Sequence, residues 1–215
     1  MGVGKEPRDM FSFRVECSIK CPRCDRPVFL NGPVTATRCR SCRSDIEIPR
    51  DYWEGILEDG IPEMRDSEKG TGTGSTIFGT FNTSLTLARF DPSCDSCKND
   101  FQDPWSLSPG TDYTCQECGE VYPVAPPPGW MSEKLASVAM LINAELDGEE
   151  DEDAEESGGE PVSLACPQCG GWLQVDGSDR LVSCQYCDVQ VYLPDDLWFR
   201  LHPVRKKRRW FVVCD

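Results

Sequence analysis

Residues 21–42 read CPRCDRPVFLNGPVTATRCRSC, which contains two Cys-x-x-Cys pairs separated by fourteen residues. The arrangement occurs three times, with seventeen residues between the pairs in the second set and fourteen again in the third. Two short turns that each present two thiolates at this spacing can hold one tetrahedral metal ion. The pattern therefore predicts three metal sites with these ligands: Cys21, Cys24, Cys39 and Cys42; Cys94, Cys97, Cys115 and Cys118; Cys166, Cys169, Cys184 and Cys187.

An extracellular disulfide framework is the alternative use of so many cysteines. Such frameworks seldom place their cysteines only in close pairs, and residues 1–16 lack the apolar stretch of a signal peptide. No segment of the sequence approaches the length of a membrane span. These features favour reduced thiolates that bind metal, and with them a cytoplasmic location.

Each four-cysteine set spans only 22 to 25 residues. Chains shorter than roughly 40 residues usually need a metal, a disulfide or a partner to fold. We therefore expect small metal-stabilised β modules with structural Zn²⁺ at three sites, because a catalytic zinc keeps an open position and uses His or carboxylate ligands. Iron held by four thiolates is the alternative, although no flanking sequence is typical of an electron carrier.

The first and third sets are copies of one unit at an offset of 145 residues, which matches Pro22 with Pro167 and Trp53 with Trp198. In each unit a first knuckle leads into an alternating strand and a hairpin turn, at Asn31-Gly32 in the first copy. A second knuckle, a second strand, a proline and a short helix follow. We expect the tryptophans Trp53, Trp130 and Trp198 to cover the sheets of their own units.

Other segments carry clear periodicities. Residues 11–19 alternate as a strand, 77–90 read as one or two strands, and 210–214 as a last strand that could pair with one of these. Residues 132–146 show apolar positions at helical spacing and predict the one longer helix. The glycine-rich residues 70–76 predict a mobile loop.

The motifs Cys21-Pro-Arg-Cys24 and Cys166-Pro-Gln-Cys169-Gly-Gly, with their partner knuckles, resemble the zinc-ribbon (rubredoxin-like) superfamily. The resemblance covers about a third of the chain and implies three tandem ribbons with structural zinc. It implies no particular activity, because ribbons serve in transcription, translation, enzyme subdomains and protein docking alike.

The expected fold is mostly β: three zinc ribbons with short helices and one longer α-helix. The expected domains are 1–60 with the first strand and ribbon 1, and 61–146 with a strand insert, ribbon 2 and the helix. Residues 147–160 form an acidic linker that predicts disorder, and 161–215 hold ribbon 3, a basic cluster and a last strand.

The charge distribution bears on function. The net charge is −15, and residues 145–160 alone carry ten acids and no base, which disfavours general affinity for nucleic acid. The sequence shows no nucleophile–base set and no open metal site, so we expect a non-enzymatic adaptor or scaffold that binds protein partners. The alternative is a nucleic-acid-binding protein that uses ribbon 1 and the basic cluster. Its contact residues would be Arg23, Arg40, Arg43, Arg205, Lys206, Lys207, Arg208 and Arg209.

Overall fold

The computed structural model describes residues 10–77, 79–148, 162–175, 179–201 and 207–215. Within these residues the chain is mostly β, as the alternating segments predict. It forms two compact units, the first of residues 1–148 and 206–215 and the second of residues 149–205. Ribbons 1 and 2 share the first unit, and ribbon 3 lies in the second.

The first unit is built on one antiparallel sheet of eight strands in the order β5-β6-β1-β14-β9-β8-β7, with β2 also paired to β1. A short β3–β4 ladder completes ribbon 1. The strands are β1 (Phe11–Lys20), β2 (Pro27–Leu30), β3 (Ala36–Arg38), β4 (Asp45–Glu47), β5 (Gly72–Ile77), β6 (Thr83–Ala88), β7 (Thr111–Thr114), β8 (Val121–Ala125), β9 (Val138–Ile142) and β14 (Trp210–Cys214). The helices are α1 (Arg50–Asp66), α2 (Gly129–Lys134) and a 3₁₀ turn at Pro104–Ser106.

The last strand, β14, is the inner strand between the two ribbons of this unit. It pairs with β1 on one edge and with β9 on the other, so the expected pairing with one of the earlier strands is found, and that strand is β1. All five of its residues are buried. Trp210, Val212 and Cys214 pack into the core that contains ribbon 1, whereas Phe211 and Val213 pack into the core of ribbon 2.

The helix after ribbon 1, expected to be short, is the longest one and spans 17 residues. It continues through Pro62 and packs closely on β6, where a Cβ on Gly60 would lie 2.5 Å from Leu87 Cδ1. Its buried residues recur at helical spacing and include Trp53, Leu57 and Met64. Burial of this apolar face against the sheet outweighs the helix-breaking residues within it.

The predicted helix over residues 132–146 is wrong. The chain instead makes the six-residue helix α2 and then the strand β9, which lies between β14 and β8. Apolar residues face both sides of β9: Leu141 lies in the core of ribbon 1, and Met140 and Ile142 in that of ribbon 2. A short apolar run that is buried on both faces has no alternation, so its spacing also fits a helix.

The predicted loop over residues 70–76 is also wrong for most of its length. Residues from Gly72 to Ile77 form β5, which pairs with β6 along six positions. All six are exposed. The segment has few apolar residues, so its sequence shows no strand-like alternation. Main-chain pairing with β6 orders it instead.

The Asn31-Gly32 turn differs from the expected hairpin, because β2 pairs with β1 and β3 pairs with β4. Asn31 is buried and accepts two main-chain hydrogen bonds, from Glu145 N–H at its carbonyl and from Arg208 N–H at its Oδ1, each at 3.0 Å. Thr35 N–H and hydroxyl donate to the Asp147 carboxylate at 2.7 Å. The loop of ribbon 1 thus binds the chain on both sides of the segment that contains ribbon 3.

The second unit contains two separate two-stranded ladders. Strands β10 (Val162–Ala165) and β11 (Trp172–Val175) form one, and β12 (Leu181–Ser183) and β13 (Gln190–Tyr192) form the other, followed by α3 (Asp195–Leu201). This element order repeats that of β1 to β4 and α1 in ribbon 1, as the offset of 145 residues predicts. The pair Asp176-Gly177, which corresponds to the Asn31-Gly32 turn of the first copy, lies outside the described residues.

Ribbon 3 is an insertion between two neighbouring strands. β9 and β14 pair directly, with Ile142 opposite Phe211, and the whole second unit lies between them in sequence. The structure therefore groups the last strand with ribbons 1 and 2, whereas the sequence-based division placed it with ribbon 3. Most of the acidic linker, from residue 149 onward, lies outside the described residues.

We predict that Gly32→Ala destabilises the zinc-loaded protein by about 1–3 kcal/mol. A Cβ at this position would lie 1.9 Å from the Glu145 carbonyl oxygen, so main chain must move. The control is Gly55→Ala, in α1, where a Cβ meets nothing within 4 Å and alanine favours the helix by about 1 kcal/mol. Chemical denaturation should shift in opposite directions for the two variants, and an unchanged midpoint for Gly32→Ala would contradict the contact.

Candidate metal centres

The twelve paired cysteines come together in the three predicted groups of four. Within each group all four sulfur atoms lie within 4.8 Å of one another. The closest pairs are separated by 3.4 Å (Cys94 and Cys118) to 3.8 Å (Cys166 and Cys187). Four sulfurs about 2.3 Å from a central zinc ion would stand about 3.8 Å apart, so the groups have the dimensions of a tetrahedral thiolate site. All cysteines are free, with no disulfide among them.

The six knuckles share one main-chain geometry. In the first knuckle the Cys21 carbonyl accepts the Asp25 N–H at 2.9 Å, and the Cys21 N–H donates to the Arg26 carbonyl at 2.8 Å. The same two bonds recur at every knuckle, four and five residues after its first cysteine. In each knuckle this first cysteine is buried, and the second is half-buried or exposed. Each turn therefore directs one sulfur inward and one to the surface, where a second knuckle can complete the site.

This geometry requires a left-handed residue directly after the second cysteine of each knuckle. All six positions have φ between +54° and +77°. Only two are glycines, and the other four are side-chain-bearing residues for which this conformation costs about 1 kcal/mol or more. The residues are Asp25, Arg43, Lys98, Gly119, Gly170 and Asp188. The free energy of binding a metal ion at such a site is large enough to offset this conformational cost.

Ser44 supplies hydrogen bonds to the first site. Its hydroxyl lies 3.5 Å from Cys21 Sγ and 3.1 Å from Cys42 Sγ. Burial raises the pKa of the Cys21 thiol, but the Ser44 hydroxyl and the N–H groups of Arg23 and Cys24 outweigh it and lower the pKa to about 6. The lowered pKa favours the thiolate, which is the form that binds metal.

Tyr122 has the same role in the second site. Its hydroxyl donates to Cys94 Sγ at 3.1 Å and accepts the Asp95 N–H at 2.6 Å. Burial raises the pKa of Cys94, but the Cys97 N–H and the Tyr122 hydroxyl outweigh it and lower the pKa to about 6. Outer groups of this kind orient metal ligands and tune their affinity. Sequence analysis missed Ser44 and Tyr122, because a serine beside a knuckle and a tyrosine in an alternating strand have ordinary structural roles.

The third site is as exposed as the second, since each has two buried cysteines, one half-buried and one exposed. Cys169 is exposed, and the Tyr186 ring lies so close to Gly171 that a Cβ there would meet it at 2.4 Å. The pKa of the Cys166 thiol is lowered to about 7, mainly by a hydrogen bond from the Cys169 N–H. The core under this site has only four buried residues. Ribbon 3 therefore has the least apolar support for its fold, and we expect it to depend most on metal binding.

The three tryptophans differ in position. Trp53 is fully buried in the core that includes Cys21 and Cys39, and its indole N–H donates to the Val34 carbonyl at 2.9 Å. Trp198 packs against Leu193 in ribbon 3. The expectation for Trp130 is wrong, because it packs against the core of ribbon 1. In ribbon 2 the stacked rings of Phe101 and Tyr113, 3.9 Å apart, fill the space instead.

The described part of the basic cluster makes intramolecular ion pairs. Lys207 Nζ lies 2.5 Å from the Glu16 carboxylate, and Arg209 Nε lies 2.5 Å from that of Asp95. In ribbon 1, Arg23 and Arg43 are exposed and Arg40 is half-buried. Arg208 is exposed, whereas Arg205 and Lys206 lie outside the described residues. Two of the six described basic residues are thus engaged in intramolecular ion pairs.

The two cysteines outside the four-cysteine groups, Cys17 and Cys214, are buried. Cys17 Sγ lies 3.5 Å from the Tyr52 hydroxyl, and burial raises its pKa to about 11. Burial likewise raises the pKa of Cys214 to about 12. Both are neutral thiols in the core at physiological pH.

In comparisons with known proteins, no family model matched the chain, and no curated protein or solved structure matched it significantly. Among the described residues, no helix is long and apolar enough to cross a membrane.

We predict three tightly bound zinc ions per chain, which native mass spectrometry can count. Cys169→Ser should reduce the count to two and unfold ribbon 3, because each site holds its own module together. The first unit should stay folded, since it forms a separate compact unit. NMR spectra should show Trp53 and Trp210 unchanged and Trp172 and Trp198 altered. Intact disulfides with no metal in freshly purified protein would contradict the metal assignment.

We also predict that Tyr122→Phe weakens metal binding at the second site by about tenfold, because a thiolate loses its O–H donor. Tyr113→Phe is the matched control: this hydroxyl lies in the same core and accepts the Gln102 N–H at 3.0 Å. Competition with a chelator should show one weakened site of three in the first variant and none in the second. Equal affinities in both variants would show that the Tyr122 bond to Cys94 has no role in metal binding.

Proposed function

We propose that this chain is a non-enzymatic, zinc-binding adaptor that works through protein–protein contacts, with ribbon 3 as a recognition module. The observation that carries the proposal is the distribution of exposed large apolar side chains. Of six such residues in the described part of the chain, four lie in ribbon 3. One of the four is Leu181, which is 53% exposed. The other three form the aromatic set of ribbon 3: Trp172, Tyr186 and Tyr192, which are 65, 65 and 58% exposed.

Tyr192, one member of the aromatic set, is held in place. Leu181 and Tyr192 are cross-strand partners in the β12–β13 ladder, and the Arg180 guanidinium lies 4.6 Å from the centre of the Tyr192 ring. Arg180 also pairs with Asp195 at the start of α3. Trp and Tyr are enriched at the centres of protein interfaces, where rigid aromatic side chains bind at little entropic cost. A small module that exposes this set has the surface of a binding domain.

Charge supports a protein partner over a nucleic acid. Residues 162–201 carry five acids and two bases, which is unfavourable beside a phosphate backbone. In the first unit, Lys207 and Arg209 are committed to Glu16 and Asp95. Exposed aromatics that bind single strands normally lie in a basic groove, whereas residues 162–201 carry a net negative charge.

Affinity capture with variants of the aromatic set tests the proposal. Trp172→Ser with Tyr186→Ser should abolish capture of a defined partner, whereas Trp172→Phe with Tyr186→Phe should retain it. Chelation should release the partner, and nuclease treatment should leave it bound. The alternative predicts binding to a labelled single-stranded or duplex oligonucleotide that weakens steeply with salt and needs Arg23, Arg40 and Arg43. Submicromolar binding of that kind at physiological salt, or nuclease-sensitive capture, would overturn the adaptor function.

A further inference from the structure

Strand β5 is an unprotected edge of the large sheet. It is the terminal strand in the sheet order, and all six of its residues are exposed. Natural proteins protect edge strands by making them short or by placing charges, prolines or bulges on them. The opposite edge, β7, has four residues and includes Asp112. β5 has the sequence GTGSTI and pairs with β6 in continuous register, so it has none of these protections.

The outer main-chain groups of β5 are directed away from the sheet. Just before the strand, the Arg89 N–H donates to the Thr71 carbonyl at 2.7 Å. Hydrogen-bonded and non-bonded positions alternate along an antiparallel ladder. The N–H and C=O groups of Gly72, Gly74 and Thr76 therefore point outward, where they can pair with another strand.

A groove lies beside this edge, between α1 and the β5–β6 hairpin, with a volume of about 400 Å³. Its apolar lining includes Ile56, Ile77 and Leu85, and its polar rim includes Asp59 and Glu63. No basic residue lines it. The alternate side chains of an added strand would face this groove, because successive side chains of a strand point to opposite faces of the sheet.

We propose that β5 and this groove form a docking site for an extended, basic segment of a partner protein, which adds to the sheet as a further strand. Main-chain hydrogen bonds to Gly72, Gly74 and Thr76 provide affinity, and pockets for alternate side chains provide specificity. Lysine or arginine side chains reach Asp59 and Glu63, and an apolar side chain packs on Ile77. The inference builds on the proposed adaptor function, to which it adds a second surface in the other unit.

A second copy of this chain fits the edge less well. Each copy has a net charge of −15, and pairing of two β5 edges would bring both acidic grooves to the same interface. Like charges that face each other across an interface disfavour association. A partner segment with alternating basic and apolar residues satisfies both the edge and the groove.

The test uses the full zinc-loaded chain and a fluorescein-labelled peptide of alternating lysine and valine, seven residues long, in fluorescence anisotropy. Thr76→Pro removes one outward N–H and leaves the bonds to β6, since proline is tolerated at such edge positions. It should weaken binding at least about tenfold, whereas Thr76→Ala, which keeps the N–H, should change it less than about twofold. Metal content and melting temperature verify that each variant is folded.

The charge arm uses Asp59→Asn with Glu63→Gln, which should weaken binding by about fivefold at low salt. Glu58→Gln with Asp51→Asn is the control, because these acids lie on α1 outside the groove and the change in net charge is the same. A peptide of alternating glutamate and valine, and a lysine–valine peptide with a central proline, should not bind.

The docking site would be overturned if Thr76→Pro left the affinity for the lysine–valine peptide unchanged, or if the glutamate–valine peptide bound with equal affinity. A dimer that Thr76→Pro abolishes would identify a second copy as the occupant and also overturn it. The Trp172 and Tyr186 variants should leave peptide binding unchanged. Loss of the partner of ribbon 3 therefore reports on the proposed function, and loss of peptide binding reports on the β5 edge.

Discussion

The first unit depends on the burial of β14 on both of its faces. Among the described helices and strands, this five-residue strand and β9 are the two that contribute buried residues to both apolar cores of that unit. One face packs with ribbon 1, where the rings of Trp210 and Trp53 meet edge to face with centres 5.9 Å apart. The other face packs with the aromatic core of ribbon 2. Burial of five apolar side chains in so small a unit is worth several kcal/mol, about 1.5–3 for each large one.

Metal and apolar burial support different parts of the molecule. The knuckles have strained left-handed residues and buried thiols, and four thiolates brought this close repel one another without a cation between them. In ribbon 3 the cores have four and three buried residues, so a metal ion at its four cysteines would be the main cohesive element. Ribbons 1 and 2 also share a large sheet. This difference is consistent with the proposed adaptor function, in which the first unit is a stable scaffold and the inserted ribbon presents exposed apolar side chains.

The sequence predicts the local chemistry well and the long-range pairing poorly. The six knuckles and the strand over residues 11–19 follow from spacings within one short segment, and the 145-residue repeat follows from the similarity of two segments. The structure has all of them. β9 resembled a helix because it is buried on both faces, and β5 resembled a loop because its partner β6 supplies its order. Asn31-Gly32 matches a hairpin turn, yet its contacts lie more than a hundred residues away, at Glu145 and Arg208.

The central claim is that β14, and not ribbon 3, completes the fold of ribbons 1 and 2. Two shortened chains test it most directly: one in which about eight glycine and serine residues replace 149–205, and one that ends at Lys206. Hydrogen exchange measured with zinc bound should show full protection of β1, β9 and β14 in the first, because Ile142 and Phe211 are direct neighbours. In the second, β1 and β9 should exchange freely. Protection of β1 and β9 in the chain that ends at Lys206 would contradict the claim.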